Sequence, residues 1–294
     1  MQFLLALLTT PLLLAQDPSP KLMDRGIFSD LDAKVTLTYP DWITGKDVTM
    51  IVDEVNNLSV LVVDGLPITV YASTPTKTMA AETLQNLQSR FGERLKIETP
   101  SRIKWALGDD DKDGIPNNID VMLGARKTAL NQAEYKETYE KLPYPNGDIP
   151  RTYGVCTDVI IRAMRNAGID LQQEIYRDMQ RRPKSYRETK PDRNIEHRRV
   201  RRLIVYFKRY YKSLSVEFDP QATQDNKWLP GDIVFMDTFP SRSGPDHIGI
   251  ISDQTNADGI PLVINNWTNG FYTQDMDLLT SIPITHRYRL KQRK

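Results

Sequence analysis

Short runs of apolar and β-branched residues mark the first third of the chain, at 35–39, 48–52, 58–63 and 68–71. Asn56-Asn57 and Asp64-Gly65 fall between runs, so the pattern predicts strands joined by tight turns. From 79 to 91 the apolar period lengthens, and Leu84, Leu87 and Phe91 share one face of a short helix. Residues 121–141 read as one helix interrupted at Gly124, after which Pro143, Pro145, Gly147 and Pro150 impose an extended loop. A helix over 156–167 carries Val159, Ile160, Ala163 and Met164 on one stripe and stops at Gly168. Residues 176–193 are polar and basic, with no element assigned. The stretch 197–214 reads as an amphipathic helix with Val200, Leu203, Ile204, Phe207, Tyr211 and Leu214 inward. The remainder is β-rich, with runs at 232–236, 247–252, 262–265 and 286–290. The class expected is α+β.

The first fifteen residues are almost wholly apolar and end in Ala15, which predicts a signal peptide over 1–15, too short for a comfortable membrane span. The alternative is an uncleaved anchor. A linker over 16–33 and a small α+β module over 34–105 would then precede the main domain, 106–294. With no second long apolar run, the mature protein is expected to lack a membrane span and to be periplasmic or secreted. A net charge of +1 makes no global case for nucleic acid.

Export sharpens the meaning of the single cysteine, Cys156. Alone in an oxidising compartment, it is an inert thiol, an intermolecular bridge or a nucleophile. It sits in Tyr153-Gly-Val-Cys-Thr-Asp158, where a helix begins. Helix N–H groups and the dipole are expected to favour a thiolate there. His247 opens a later run and is the candidate base. The turn-rich stretch 253–259 predicts a hairpin that returns Asn265 to His247, where an amide can orient an imidazole; Asn266 is the second choice. His197 and His286 read as polar or capping residues.

Between these halves lies Asp109-Asp-Asp-Lys-Asp-Gly-Ile-Pro-Asn-Asn-Ile-Asp120. Asp109, Asp111 and Asp113 alternate, Gly114 permits a sharp turn, and Asn117 and Asp120 follow, a spacing suited to structural Ca²⁺. The loop resembles those of thrombospondin type 3 repeats, with Asn117 in place of an Asp, and lacks the twelfth-position Glu of an EF-hand. The alternative is a solvated acidic turn in which Asp120 caps a helix over 121–130.

The order of Cys at a helix start, Pro-Gly-Asp before a strand and His-Ile-Gly opening the next resembles the NlpC-type cell-wall cysteine peptidases, a papain-like superfamily. Within it, residues 113–288 resemble the bacterial family called domain of unknown function 1287. The matching text is Asp-Gly-Ile-Pro, Gly-Val-Cys-Thr-Asp-Val-Ile-Ile-Arg-Ala, Gly-Ile-Asp-Leu-Gln, Lys190-Pro-Asp-Arg-Asn-Ile-Glu-His-Arg-Arg-Val200, Pro-Gly-Asp-Ile-Val and His-Ile-Gly-Ile-Ile-Ser-Asp253. The resemblance implies a Cys-bearing helix packed on an antiparallel sheet, with cleavage or transfer at amide bonds of cell-wall peptides. It has two departures. NlpC-type enzymes usually place Asp before and Ser after the nucleophile, where this chain has Val155 and Thr157, and the family often carries His where Asn265 stands.

These readings converge on an exported cysteine hydrolase with Cys156 as nucleophile, His247 as base and Asn265 as orienter, needing no cofactor for catalysis. Its expected partner is peptidoglycan or another anionic envelope polymer. Tyr153 and Asp158, beside the Cys, together with Asp192, Asn194, His197 and Arg198, form the expected substrate-binding set, with Arg198 as a carboxylate clamp. The basic stretch 177–212 is either a solvated, salt-bridged face or the wall of an anionic-polymer groove. Rival readings are a non-catalytic, Ca²⁺-stabilised envelope-binding module and an acyltransferase on the same scaffold.

Overall fold

A computed structural model describes residue 43 and residues 45–291, apart from 72, 76, 78, 80, 106, 220, 221, 223–225 and 240–243. The expected signal peptide, the linker and the run at 35–39 lie outside the described residues.

Three antiparallel strands, β1 (Val48–Asp53), β2 (Leu58–Val63) and β3 (Leu66–Tyr71), follow from the early apolar runs. The turns take the left-handed backbone their residues favour, with φ of 54° at Asn57, 52° at Asp64 and 77° at Gly65. Helix α1 (Ala81–Phe91) returns the chain so that β4 (Leu95–Glu98) lies parallel to β1, giving the order β3-β2-β1-β4. One side of the sheet buries Met50, Leu61 and Ile68 with Leu87 and Phe91 of α1. Leu58, Val60, Val62 and Val70 join the large cluster that also holds Cys156.

Helix α2 (Asn117–Leu130) packs on α3 (Cys156–Asn166). Gly124 is the contact point: a Cβ there would stand 2.7 Å from Ala163 Cα. The helix expected over 121–141 therefore starts earlier and stops sooner. Its continuation is captured by neighbours: Ala133 O accepts from Thr273 N at 2.9 Å and Asn266 Nδ2 at 3.2 Å. The next residues form β5 (Glu134–Tyr135), parallel to β6 (Tyr153–Gly154), which only Val155 separates from Cys156. Since α2 begins at Asn117, Asp120 lies inside the helix and does not cap it.

Two short helices occupy the basic region. In α4 (Leu171–Arg181), Asp170 caps the start by accepting from Gln173 N at 3.2 Å, and Leu171, Ile175 and Met179 are buried. Next comes α5 (Pro183–Tyr186). The stretch expected as one helix over 197–214 divides into a 3-10 turn (Glu196–Arg198), α6 (Val200–Tyr210) and an edge strand, β7 (Lys212–Leu214).

The second sheet is antiparallel, in the order β11-β10-β9-β8-β12-β7. Its remaining strands are β8 (Ile233–Met236), β9 (His247–Thr255), β10 (Pro261–Asn265), β11 (Gln274–Met276) and β12 (Ile284–Arg289). Asp232 of the Pro-Gly-Asp turn pairs twice with Arg289, at 2.6 and 2.8 Å, and so ties the start of β8 to the end of β12. Helix α3 lies against β9, which brings the Cys-bearing helix onto the strand that His247 opens. The architecture is α+β. No helix among the described residues is long and apolar enough to cross a membrane.

Candidate active site

Cys156 is the first residue of α3, held at the helix mouth by Asp158, whose Oδ2 accepts from Val155 N at 2.7 Å. His247 is the first residue of β9 and Asn265 the last of β10, so the hairpin returns one to the other. His247 Nε2 lies 2.8 Å from Asn265 Oδ1, while Asn265 Nδ2 donates to Ile248 O at 2.6 Å. The ring of Trp267 meets His247 edge-on, with centroids 4.7 Å apart. Cys156 and His247 line one cavity of about 510 Å³, together with Tyr135, Glu137, Tyr139 and Arg199.

Burial sets the resting protonation. It pushes the Cys156 thiol up to about 12; backbone groups of Ile248 and Thr157 oppose it, and the Asp158 and Asp246 carboxylates add to it. The lowered thiol expected from the helix start is not what this pocket gives. A helix terminus contributes about 0.3–1 kcal/mol, less than one pKa unit, whereas full burial can shift a group by about 3–5 units. Burial also lowers His247, against stabilisation of its charged form by Asn265 and Asp246. The resting pair is therefore a thiol beside a neutral imidazole.

The expected substrate-binding residues meet different fates. Arg198 lines the cavity, yet Nε and Nη2 donate to Asp158 at 2.7 and 3.0 Å and Nη1 donates to Thr138 O at 2.7 Å. The fork that was to clamp a substrate carboxylate grips Asp158 instead. Tyr153 donates to Glu140. Asp192 accepts from Tyr139 OH at 2.7 Å, and Asn194 Oδ1 accepts from Leu142 N at 2.9 Å, fastening two loops together. His197 is buried; burial and then the Arg198 and Arg165 charges lower it to about 3. Asn266 donates to Ala133 O and Gly154 O, each at 3.2 Å, and so braces the approach to Cys156. His286 stacks on Tyr288 in β12. Much of the basic stretch is spent internally: Arg182 and Arg209 pair with Asp178, and Arg199 and Arg202 with Glu196.

In the acidic loop, Asp109, Asp111 and Asp113 bring carboxylate oxygens within 4.8 Å of one another. Asn117 faces the loop backbone, accepting from Asp110 N at 2.9 Å and donating to Leu107 O at 3.1 Å.

Sequence reasoning did not find Tyr135, Glu137, Tyr139 or Trp267. The first three lie in the segment expected to be helical, where they carried no signal. Trp267 stands two residues beyond Asn265 and was legible as its neighbour. Tyr135 OH donates to Glu137 at 3.0 Å, and burial, then Glu137, raise its pKa, so the phenol remains a donor beside Cys156.

The model of the family described as domain of unknown function (DUF1287) matches residues 122–290. This chain belongs to the DUF1287 family. The DUF1287 region takes in Cys156, His247, Asn265 and the whole cavity, whereas the four-stranded sheet and the acidic loop precede it. A relative named uncharacterized protein YijF, from Escherichia coli (strain K12), is 36% identical over 176 residues, covering 58% of this chain and 81% of that protein. No solved structure matches the chain.

Proposed function

We propose that this protein is an exported cysteine hydrolase with a papain-like, NlpC-type core, cleaving an amide bond in peptide of the bacterial cell envelope, peptidoglycan foremost. The observation that carries the reading is the 2.8 Å contact between His247 Nε2 and Asn265 Oδ1 beside the cavity that His247 shares with Cys156. With Nε2 donating to Asn265, Nδ1 is assigned as the base. In the first half-reaction Nδ1 takes the thiol proton as Sγ attacks the carbonyl carbon. The Cys156 backbone N–H, at the helix mouth, is the candidate donor to the oxyanion. The imidazolium then protonates the leaving amine, and a thioester remains on Cys156. Water, deprotonated by the same nitrogen, releases the acid and restores the thiol. An amine in place of water would make the enzyme an acyltransferase.

The envelope substrate rests on the resemblance of the Cys, Pro-Gly-Asp and His-Ile-Gly segments to cell-wall peptidases and on the apolar first fifteen residues. The test is incubation of the protein with purified peptidoglycan and mass spectrometry of what is released. New fragments with the wild type and none with Cys156→Ser support the proposal; fragments released equally by both would sink it. The raised thiol pKa favours a second reading, a binding module with an inert cysteine. Sedimentation with peptidoglycan without release of fragments is its signature.

A further inference from the structure

The acidic loop has no part in the proposed chemistry, and three observations there concern one ligand. First, carboxylate oxygens of Asp109, Asp111 and Asp113 converge within 4.8 Å. Second, Asp120, entering from the first turns of α2, is fully buried, and its Oδ2 has no hydrogen-bond partner among the described residues; the same holds for Oδ1 of Asp111. Third, nearby groups fix the other atoms of this set. Asn166 Nδ2 donates to Asp120 Oδ1 at 3.1 Å and to Asp120 O at 3.0 Å, leaving Oδ2 as the carboxylate's open atom. A buried carboxylate oxygen that accepts no hydrogen bond costs free energy, and a cation bound to it would offset that cost.

We infer that Asp109, Asp111, Asp113 and Asp120 form a binding site for one divalent cation, with Ca²⁺ preferred. Numbered from Asp109, the carboxylates fall at the first, third, fifth and twelfth places, and the sixth is Gly114, with φ of 95°. That spacing lets a loop present alternate side chains inward and close with a carboxylate from the following helix. Ile115 stands at the seventh place, where such loops offer a backbone carbonyl. All the donors are carboxylate oxygens, three from the loop and one from the helix that follows it, a hard-oxygen set that suits Ca²⁺. The charges of Asp109, Asp111 and Asp113 all act on the buried Asp120 carboxyl, so the four groups form one cluster. Mutual repulsion among four carboxylates is the state a bound dication relieves.

The place of the site gives it a consequence. Asn166 is the last residue of α3, and Cys156 is its first. A Cβ on Gly168 would meet Asp111 Cβ at 3.0 Å, so the loop also packs on the turn after α3. The ion would brace the far end of the Cys-bearing helix against α2 without touching the cavity.

Trp105 supplies an internal probe, since its indole N–H donates to Gly114 O at 3.0 Å. Chelator-treated protein is titrated with Tb³⁺ under indole excitation, then back-titrated with Ca²⁺ and Mg²⁺, and melting is followed in Ca²⁺ and in EDTA. The expected result is sensitised Tb³⁺ emission that Ca²⁺ displaces at far lower concentration than Mg²⁺. The melting midpoint should rise by about 5–10 °C at a hundredfold excess of Ca²⁺ over its Kd. Asp120→Asn and Asp111→Asn should each lose both responses while folding in EDTA at least as well as the wild type, because one repelling charge is gone. Equal midpoints in Ca²⁺ and EDTA without displaceable emission would overturn the site. A Ca²⁺ response surviving in both variants would overturn this ligand set, and an equal response to Mg²⁺ would overturn the preference for Ca²⁺.

Discussion

Asn265 is clamped while it orients His247: its Nδ2 donates to Ile248 O at 2.6 Å, and its Oδ1 meets His247 Nε2 at 2.8 Å. Because the amide nitrogen is committed to a carbonyl, the oxygen has to face the imidazole, and the ring cannot turn without breaking that contact. On an accepted amide substrate, Cys156→Ser and His247→Ala should each lower turnover by about 10⁴-fold or more. Asn265→Ala should cost about 10²-fold, the order expected for a misplaced catalytic group. Steady-state kinetics with circular dichroism of each variant checks this. Near-wild-type turnover in either of the first two would remove the mechanism.

The protonation of Cys156 is open to direct measurement. With the thiol at about 12 against an ordinary 9.0, the resting thiolate is about 10³-fold scarcer than in a free cysteine at the same pH. Iodoacetamide labelling should therefore be slow at pH 7 and rise about tenfold per pH unit, with no plateau below pH 9. A plateau near neutrality would show a preformed thiolate–imidazolium pair instead. Because His247 is lowered from 6.5, the acid limb of any kcat/KM profile should fall below pH 6.5: the base must be neutral, and a depressed pKa keeps it so to lower pH.

Arg198 and Asp158 separate a structural role from a recognition role. Their side chains are 3% and 2% exposed and share two hydrogen bonds, so removing either leaves a buried charge behind. Arg198→Ala should destabilise the fold by about 3–5 kcal/mol, and Arg198→Lys should recover only part, because an ammonium cannot fork. The loss should change little with salt. Urea denaturation at low and high ionic strength reads it. An unchanged midpoint with a raised KM would return Arg198 to the role of substrate clamp.

His197 makes a prediction about acid. Its folded pKa, about 3, lies below its ordinary 6.5, so the stability it contributes is complete above pH 6.5 and is lost as the pH falls toward 3. The full term is roughly 3–5 kcal/mol. Between pH 6.5 and 4 the wild type should lose markedly more unfolding free energy than His197→Gln. Parallel slopes for the two proteins would show that His197 titrates normally.

How much of this was written in the linear chain depends on the range of the interactions. The β9–β10 hairpin was legible because its apolar runs and the turn residues between them are local, and with them came the pairing of His247 and Asn265. The end of α2 was not: 131–141 keeps a helical composition, and what diverts it is a set of hydrogen bonds from Thr273 and Asn266, more than a hundred residues away in sequence. Helix α4 was hidden by its arginines. Leu171, Ile175 and Met179 do recur at helical spacing, but the arginines at 177, 181 and 182 read as solvated until Asp178 is seen to collect Arg182 and Arg209. Thiol acidity depends on burial, which no local pattern reports.

Cys156 and His247 stand at the ends of a helix and a strand, whereas Glu137, Thr138, Tyr139, Ile195 and Arg199, which also line the cavity, belong to neither. Regular elements resist change because each residue answers to many neighbours; connecting segments answer to few. Evolution can therefore alter what the cavity admits by trading side chains in those two connecting stretches, leaving its chemistry untouched. Under the proposed function, family members with the same thiol, imidazole and amide can differ in substrate while sharing one mechanism.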